Sequence, residues 1–356
     1  MVACRPCLYL ASSPLHSFFS LGLMNGPLSE GEQTLAVIDR PVRARDYIAE
    51  SIEAGHLPGV AVQRFAALPS THATSSVLAA LSTLSRTLNP RTIAVGNDRR
   101  IEFYAAVRGC PSARRIYLDD GLYSYLPHRD ALPAWRESLS NRRRSLKYGL
   151  PLERPSLVGG SRAVQEAYVL LPQQVHAGLV GKPVHPFVSA WFTDPRTTRV
   201  CAAAAALAGV DAARCAGLGL LVLLPHPRFL SAEEDLPQCI AALVTKHSER
   251  GQRVALKPHP AAEYLPLREQ LPGLTSDVMT LPATLPVEVL APLLSGTLIV
   301  GTLTTALLTL RLLGSGLQVR SLVLPTSSSG ESPVDVRTQA IYRSVGIEPI
   351  SDQMDV

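Results

Sequence analysis

The decapeptide I-Y-L-D-D-G-L-Y-S-Y, Ile116 to Tyr125, sets two carboxylates side by side where an apolar run stops and a glycine begins. Neighbouring acids repel, and partial burial raises the pKa of at least one, so Asp119 and Asp120 offer a general base working near neutrality, with Gly121 to turn the chain. Asp-Gly is equally an ordinary turn pair, and the motif alone leaves both readings open. Other residues with chemical capacity also follow apolar runs. S-S-P-L-H-S presents Ser12, Ser13 and His16 as donors, with helix entry as the plainer role. V-G-N-D-R-R-I-E-F presents Asn97 and Asp98, whose default reading is capping of the next helix.

Later in the chain, L-K-P-H-P holds Lys257 and His259, the imidazole fixed in an extended presentation between Pro258 and Pro260. Lysine beside histidine at a strand end favours an anion site. L-L-P-H-P-R-F-L repeats the arrangement at His226 as a weaker competitor. L-P-V-E-V-L places Glu288 early in a helix, where it can accept from ribose hydroxyls or merely favour the helix dipole. G-T-L-T-T-A-L-L-T-L puts Thr304 and Thr305 at a strand-to-helix junction, suited to phosphate or to plain N-capping.

These positions need a scaffold that collects strand ends. Short β-type runs alternate with helical patterns: C-L-Y-L at 7, L-A-V-I at 35, V-A-V at 60, T-I-A-V at 92 and R-I-Y-L at 115, then Y-V-L-L at 168, L-L-V-L-L at 220, R-V-A-L at 253, T-L-I-V at 297 and Q-V-R-S-L-V-L at 318. Such alternation predicts βαβ units and parallel, doubly wound sheets. The 356 residues exceed one ordinary core. We expect an α/β chain of two Rossmann-like domains: 1–160 carrying D-D-G, and 161–356 carrying K-P-H-P and T-T-A. The Arg-rich stretch from Ala134 to about Arg162 reads as a helix feeding the connection between them. Ligands in such sheets sit beyond the carboxyl ends of the strands, so a central cleft should collect the residues above.

Bulk properties narrow the class. A formal charge of +5 and a pI near 9.0 favour anionic partners such as nucleotides, phospholipid surfaces or acidic glycans; nucleic acid is not expected among them. Six scattered cysteines in a chain too long to need staples fit a reducing cytoplasm. Cys4-x-x-Cys7 has no second pair at zinc spacing, and we expect no metal and no cofactor. The apolar N-terminus is broken by Ser12, Ser13, Pro14 and His16, so it reads as a strand then a loop rather than a signal peptide. Val289 to Leu310 is cut by Pro292, Ser295-Gly296 and Gly301 into a helix end, a strand and a new helix rather than a membrane span. T-S-S-S-G-E-S-P, Thr326 to Pro333, reads as a loop.

The order of the motifs, an acid pair in the first half, then K-P-H-P, P-V-E and T-T-A in the second, resembles the bacterial sialyltransferases of GT-B architecture, in particular capsule polysialyltransferases and lipooligosaccharide sialyltransferases. Their marks are D/E-D/E-G in the N-terminal domain, H-P in the C-terminal domain and a downstream pair of hydroxyl residues. The resemblance spans most of the chain, including S-S-P-L-H and G-N-D; threonines stand where the family often has serines. It implies an inverting, metal-independent transfer of sialic acid from CMP-sialic acid to a glycan acceptor, in the cytoplasm or at the inner membrane surface. Asp119 would be the base, with Asp120 as alternative or orienting partner. His259 would bind and protonate the phosphate of departing CMP. Lys257 and Glu288 would hold the cytidine, and Thr304 and Thr305 the phosphate. The acceptor would be anionic or lipid-linked, with the basic run Arg136, Arg142, Arg143, Arg144 and Lys147 lining its path, resting against lipid headgroups, or forming a solvated helix face. The alternatives are a GT-B transferase using another nucleotide sugar, and a non-catalytic nucleotide- or glycan-binding protein of the same fold.

Overall fold

The computed structural model describes residues 5–39, 45–66, 71–126, 134–230, 235–262, 271, 274, 278–314, 316–322 and 333–350. The chain divides into two units, Met1–Val200 and Cys201–Val356. The first is built on a seven-stranded, wholly parallel sheet: β1 (Cys7–Ala11), β2 (Gln33–Asp39), β3 (Val60–Ala66), β4 (Thr92–Val95), β5 (Arg114–Leu118), β6 (Glu166–Val169) and β7 (Val184–Pro186), in the order β3-β2-β1-β4-β5-β6-β7. The second holds a six-stranded parallel sheet: β8 (Leu218–Leu223), β9 (Arg253–Lys257), β10 (Met279–Thr280), β11 (Leu298–Gly301), β12 (Gln318–Leu322) and β13 (Glu348–Ile350), in the order β10-β9-β8-β11-β12-β13.

Read from its own first strand, the second sheet runs 3-2-1-4-5-6, the doubly wound Rossmann order, and the first adds a seventh strand to it, so each reverses direction beside its first strand and opens a crevice there. The central strands β1, β4 and β8 are buried on both faces, which is why they read as unbroken apolar runs rather than as alternations. In the first unit Leu8, Leu10, Ile93, Val95, Phe103 and Tyr117 form the centre of the core. In the second, Leu220, Val222, Leu256, Val300 and Ile240 do so.

The domain boundary differs from the expected 160. β6 pairs with β5 and β7 with β6, so Y-V-L-L at 168 extends the first sheet instead of opening the second. The segment to Val200 is fastened to the N-terminal helix Pro14–Asn25: Phe192 stacks on Phe18 at 4.9 Å, Phe187 on Phe19 at 4.6 Å, and Asn25 Nδ2 donates to Thr197 Oγ1 at 2.7 Å. Gly22 permits this contact, since a Cβ there would lie 2.3 Å from the Phe192 ring. The Ala134–Tyr148 helix therefore lies within the first unit.

The chain after β1 also departs from expectation, forming a helix rather than a loop. Ser13 caps it, with Pro14 at the first helical position, where proline's missing N–H costs nothing. Val289–Leu310 resolves as read: a 3-10 segment Val287–Leu293, β11, then the helix Thr305–Leu313. No described helix is long and apolar enough to cross a membrane. Cys4 of the C-x-x-C pair and residues 326–332 of the expected loop lie outside the described residues. The five described cysteines are free, four of them buried.

Candidate functional site

In the first unit the crevice lies between the ends of β1 and β4, with the end of β5 beside them. The acid pair follows β5, and the extended chain turns its two side chains to opposite sides. Asp119 points inward and is fully buried. Its Oδ1 accepts from Gly121 N at 2.8 Å and Ser124 Oγ at 2.6 Å; its Oδ2 accepts from Leu170 N at 2.8 Å and from Tyr125 Oη. Burial pushes this carboxyl up to about 6, against the four hydrogen bonds that favour the anion. With all its acceptor directions engaged, Asp119 ties the turn, β6 and Tyr125 together and has no lone pair left for a substrate hydroxyl. Gly121 takes φ +73, which lets its N–H fold back onto Asp119.

Asp120 points the other way and keeps 18% of its side chain exposed. His16 Nε2 lies 2.9 Å from Oδ1, and Asn97 Nδ2 donates to Oδ2 at 2.8 Å. The Ser12 backbone N–H (3.4 Å) and hydroxyl (3.2 Å) lie at His16 Nδ1; acceptance from that N–H leaves the ring proton on Nε2, facing the carboxylate. Ser12, Ser13, His16, Asn97, Asp119, Asp120 and Gly121 thus lie at the ends of the neighbouring strands β1, β4 and β5. Ser13 takes the plainer role of helix entry, its hydroxyl accepting from His16 N as the N-cap. Asn97 and Asp98 do not cap the following helix: Asn97 reaches Asp120, while buried Asp98 accepts from Gly159 N (2.7 Å) and Ser161 N (2.8 Å). Burial pushes the Asp98 carboxyl up to about 6 despite those bonds and the nearby Lys182 charge.

Gly96 was not among the expected site residues. A Cβ there would sit 2.1 Å from the His16 ring, so only glycine lets the imidazole lie across the end of β4. The run V-G-N-D carried that signal. Asn97 also lines a cavity of about 510 Å³ inside this unit, walled by Arg99, Arg100, Arg144, Lys147 and Arg154 among others. Arg100 is neutralised by Glu102 at 2.5 Å. The other cations crowd one another: burial, then the charges of Arg99 and Arg144, depress the Arg154 guanidinium below its usual range. Arg99 Nε is buried without a hydrogen-bond partner. A cavity of this size and sign suits an anionic ligand.

In the second unit β8 and β9 are neighbours with Leu223 opposite Lys257, so the two P-H-P tripeptides that follow them meet. The His226 and His259 rings lie 5.0 Å apart. His259 Nδ1 accepts from Ala261 N at 3.0 Å, which leaves its Nε2 as the proton-bearing nitrogen; Pro260 beside it is exposed. The weaker competitor of the sequence is therefore a companion. Across β8, the end of β11 brings Thr304 and Thr305 to the same edge of the sheet. Thr304 is the N-cap, its Oγ1 accepting from Ala306 N at 3.3 Å, and Tyr342 Oη braces its backbone N–H and carbonyl.

Lys257 and Glu288 are placed differently from the nucleotide-holding role. Lys257 is buried and donates to the carbonyls of Pro258 (3.0 Å) and Ala283 (2.8 Å); burial lowers its ammonium to about 8, with the Glu288 charge opposing. Glu288 is buried with Oε1 accepting from Thr309 Oγ1 at 2.7 Å, and burial raises it against that bond and the Lys257 charge. Lys257 thus fastens the Pro258 carbonyl next to His259 to that of Ala283, and Glu288 fastens the helix Thr305–Leu313 through Thr309.

No protein-family model and no curated protein sequence matches the chain. Solved structures do match in fold. A 2,6-sialyltransferase from Vibrionaceae Photobacterium sp., in a ternary complex with CMP and lactose, aligns at TM-score 0.54 and 10% identity over 97% of this chain and 78% of that one. UDP-GlcNAc 2-epimerase from Neisseria meningitidis, bound to UDP-GlcNAc, aligns at TM-score 0.53 and 11% identity over 95% and 90%. A putative UDP-N-acetylglucosamine 2-epimerase from Listeria monocytogenes aligns at 0.52 and 12% over 90% and 79%. At such identities the likeness is one of fold: two Rossmann-like parallel-sheet units of the GT-B class.

Proposed function

We propose that this chain is an inverting glycosyltransferase that moves sialic acid from CMP-sialic acid to an anionic glycan acceptor. The observation that carries it is the Asp120 carboxylate: at a sheet reversal, part exposed, and oriented through both oxygens by His16 and Asn97. That is the arrangement a general base needs, a fixed acceptor with one face left open. Asp120, rather than Asp119, takes the acceptor hydroxyl's proton. The hydroxyl oxygen then bonds to the anomeric carbon as the bond to the phosphate oxygen breaks, and the proton stays on the Asp120 and His16 pair. His259, helped by His226, donates toward the phosphate as CMP departs, and the Thr304 and Thr305 turn supplies further donors. A single departing phosphate develops little enough charge for imidazole and hydroxyl donors to meet without a metal. The cavity bearing Arg99, Arg144, Lys147 and Arg154 receives the acidic groups of the acceptor.

The motif order D-D-G, K-P-H-P and T-T-A and a neighbour of the same fold that holds CMP and an acceptor sugar support this reading. The epimerase neighbours favour a second one, action on a UDP-amino sugar. Incubation with CMP-sialic acid and, separately, with UDP- and GDP-sugars separates them. Acceptor-dependent CMP release, insensitive to EDTA, is the expected result; turnover of a UDP-sugar alone would favour the second reading, and no turnover of any donor a binding protein.

A further inference from the structure

The Ala134–Tyr148 helix is amphipathic the wrong way round for a helix that covers a core. One polar row, Glu137, Asn141 and Ser145, faces the protein. Glu137 accepts from Ser156 Oγ, Asn141 Oδ1 accepts from Arg154 N at 3.0 Å, and Ser145 Oγ accepts from Leu152 N at 2.9 Å. Arg144, Lys147 and Tyr148 line the cavity behind it. The apolar residues face outward: Trp135 is 64% exposed, Leu139 44% and Leu146 86%. At 100° per residue Trp135, Leu139, Arg142 and Leu146 fall within about a 60° stripe. Three of the nine large exposed hydrophobics among the described residues lie on this one helix, so the stripe is a concentration and not scatter.

The charges name what covers it. Arg136, Arg142 and Arg143 are exposed on or beside the stripe, with Arg136 stacked 5.0 Å from the Trp135 ring. The helix has a single acid, Glu137, and it faces inward. A second copy of the chain would bring cation against cation. An anionic surface with an apolar layer beneath it satisfies both the arginines and the leucines, and tryptophan is the side chain suited to that boundary.

We propose that this face is a docking site for an anionic lipid bilayer, with the helix lying in the interfacial plane, Trp135, Leu139 and Leu146 at the acyl boundary and Arg136, Arg142 and Arg143 among the headgroups. The site is independent of the transferase reading and stands or falls apart from it. The test is flotation of the full chain with vesicles of phosphatidylcholine, with and without phosphatidylglycerol. Flotation with the anionic vesicles alone is expected, released by high salt. Leu139→Gln with Leu146→Gln, and separately Arg142→Gln with Arg143→Gln, each lower it at least about tenfold. The melting temperature stays unchanged in both, since these side chains are exposed. Tryptophan emission shifts to the blue on binding and the shift is lost in Trp135→Phe, which leaves Trp191 as the only indole. Absence of anionic-vesicle binding, or binding unaltered in both double variants, overturns the proposal. So does a dimer in sedimentation that Leu139→Gln with Leu146→Gln dissolves, because a second copy would then cover the stripe.

Discussion

The two sheets share one strand order, yet their edges are furnished for opposite tasks. The first edge is built of carboxylates: Asp98 and Asp119 buried in rings of donors, Asp120 held by His16 and Asn97 with one side open. The second edge is built of imidazoles, hydroxyls and prolines, and its carboxylate and ammonium, Glu288 and Lys257, are withdrawn into the interior. One edge is suited to take a proton and the other to receive negative charge. A shared topology supplies places, and what each place can do depends on the side chains put there.

The sharpest way to break this contrast is at Asp120. Asp120→Asn offers one acceptor oxygen where His16 and Asn97 donate to two, and it removes the basic carboxylate, so turnover falls about a thousandfold while CMP affinity stays unchanged. Loss of CMP binding, measured by calorimetry, would contradict its assignment to the acceptor side. On the other edge, His259→Ala and His226→Ala each lower turnover about a hundredfold and also weaken CMP binding. Unchanged kinetics in either would remove that ring from the site.

The third variant separates the neighbouring acids. Asp119→Ala strips four buried donors of their acceptor, which costs about 3 kcal/mol or more of stability, read as a lowered denaturation midpoint. Any activity lost should return when the chain is kept below its melting temperature, whereas that of Asp120→Asn should not. If Asp119→Ala melts like the wild type yet is dead, the roles of the two acids are reversed.

Much of this was legible in the sequence. Runs such as T-I-A-V and R-V-A-L announced strands because a strand buried on both faces shows no alternation to confuse, and the punctuation after each run marked the strand's carboxyl end. Other features were hidden for physical reasons. β7, β10 and β13 have three, two and three residues, too few to show a period. The sheet that β6 joins is decided by long-range pairing with β5, which sequence alternation does not encode. D-D-G specified a turn with two carboxylates without saying which would be buried and which left part exposed, since that depends on where the chain aims each side chain. His226 was ranked below His259, although two P-H-P tripeptides after successive strands were already a hint that parallel neighbours would bring them together.

The smallest expected effect compares a buried carboxylate of the first edge with its own amide. Burial holds Asp98 at about 6 in the folded chain, above the roughly 3.9 of an unfolded aspartate. Between those values the unfolded chain has lost the proton and the folded chain still binds it, so each rise in pH subtracts stability. The contribution is fully present below about 4, is lost as pH climbs through about 6, and is flat beyond. Asp98→Asn has no such group, so the difference in melting temperature, wild type minus variant, should be greatest near pH 4 and shrink by a few degrees by pH 7, a swing of up to about 3 kcal/mol. A difference that grows with pH would mean that the Gly159 and Ser161 N–H groups, with Lys182 nearby, outweigh burial and keep Asp98 ionised. Asp98 would then be a structural anion of the kind that the four donors around Asp119 were built to hold.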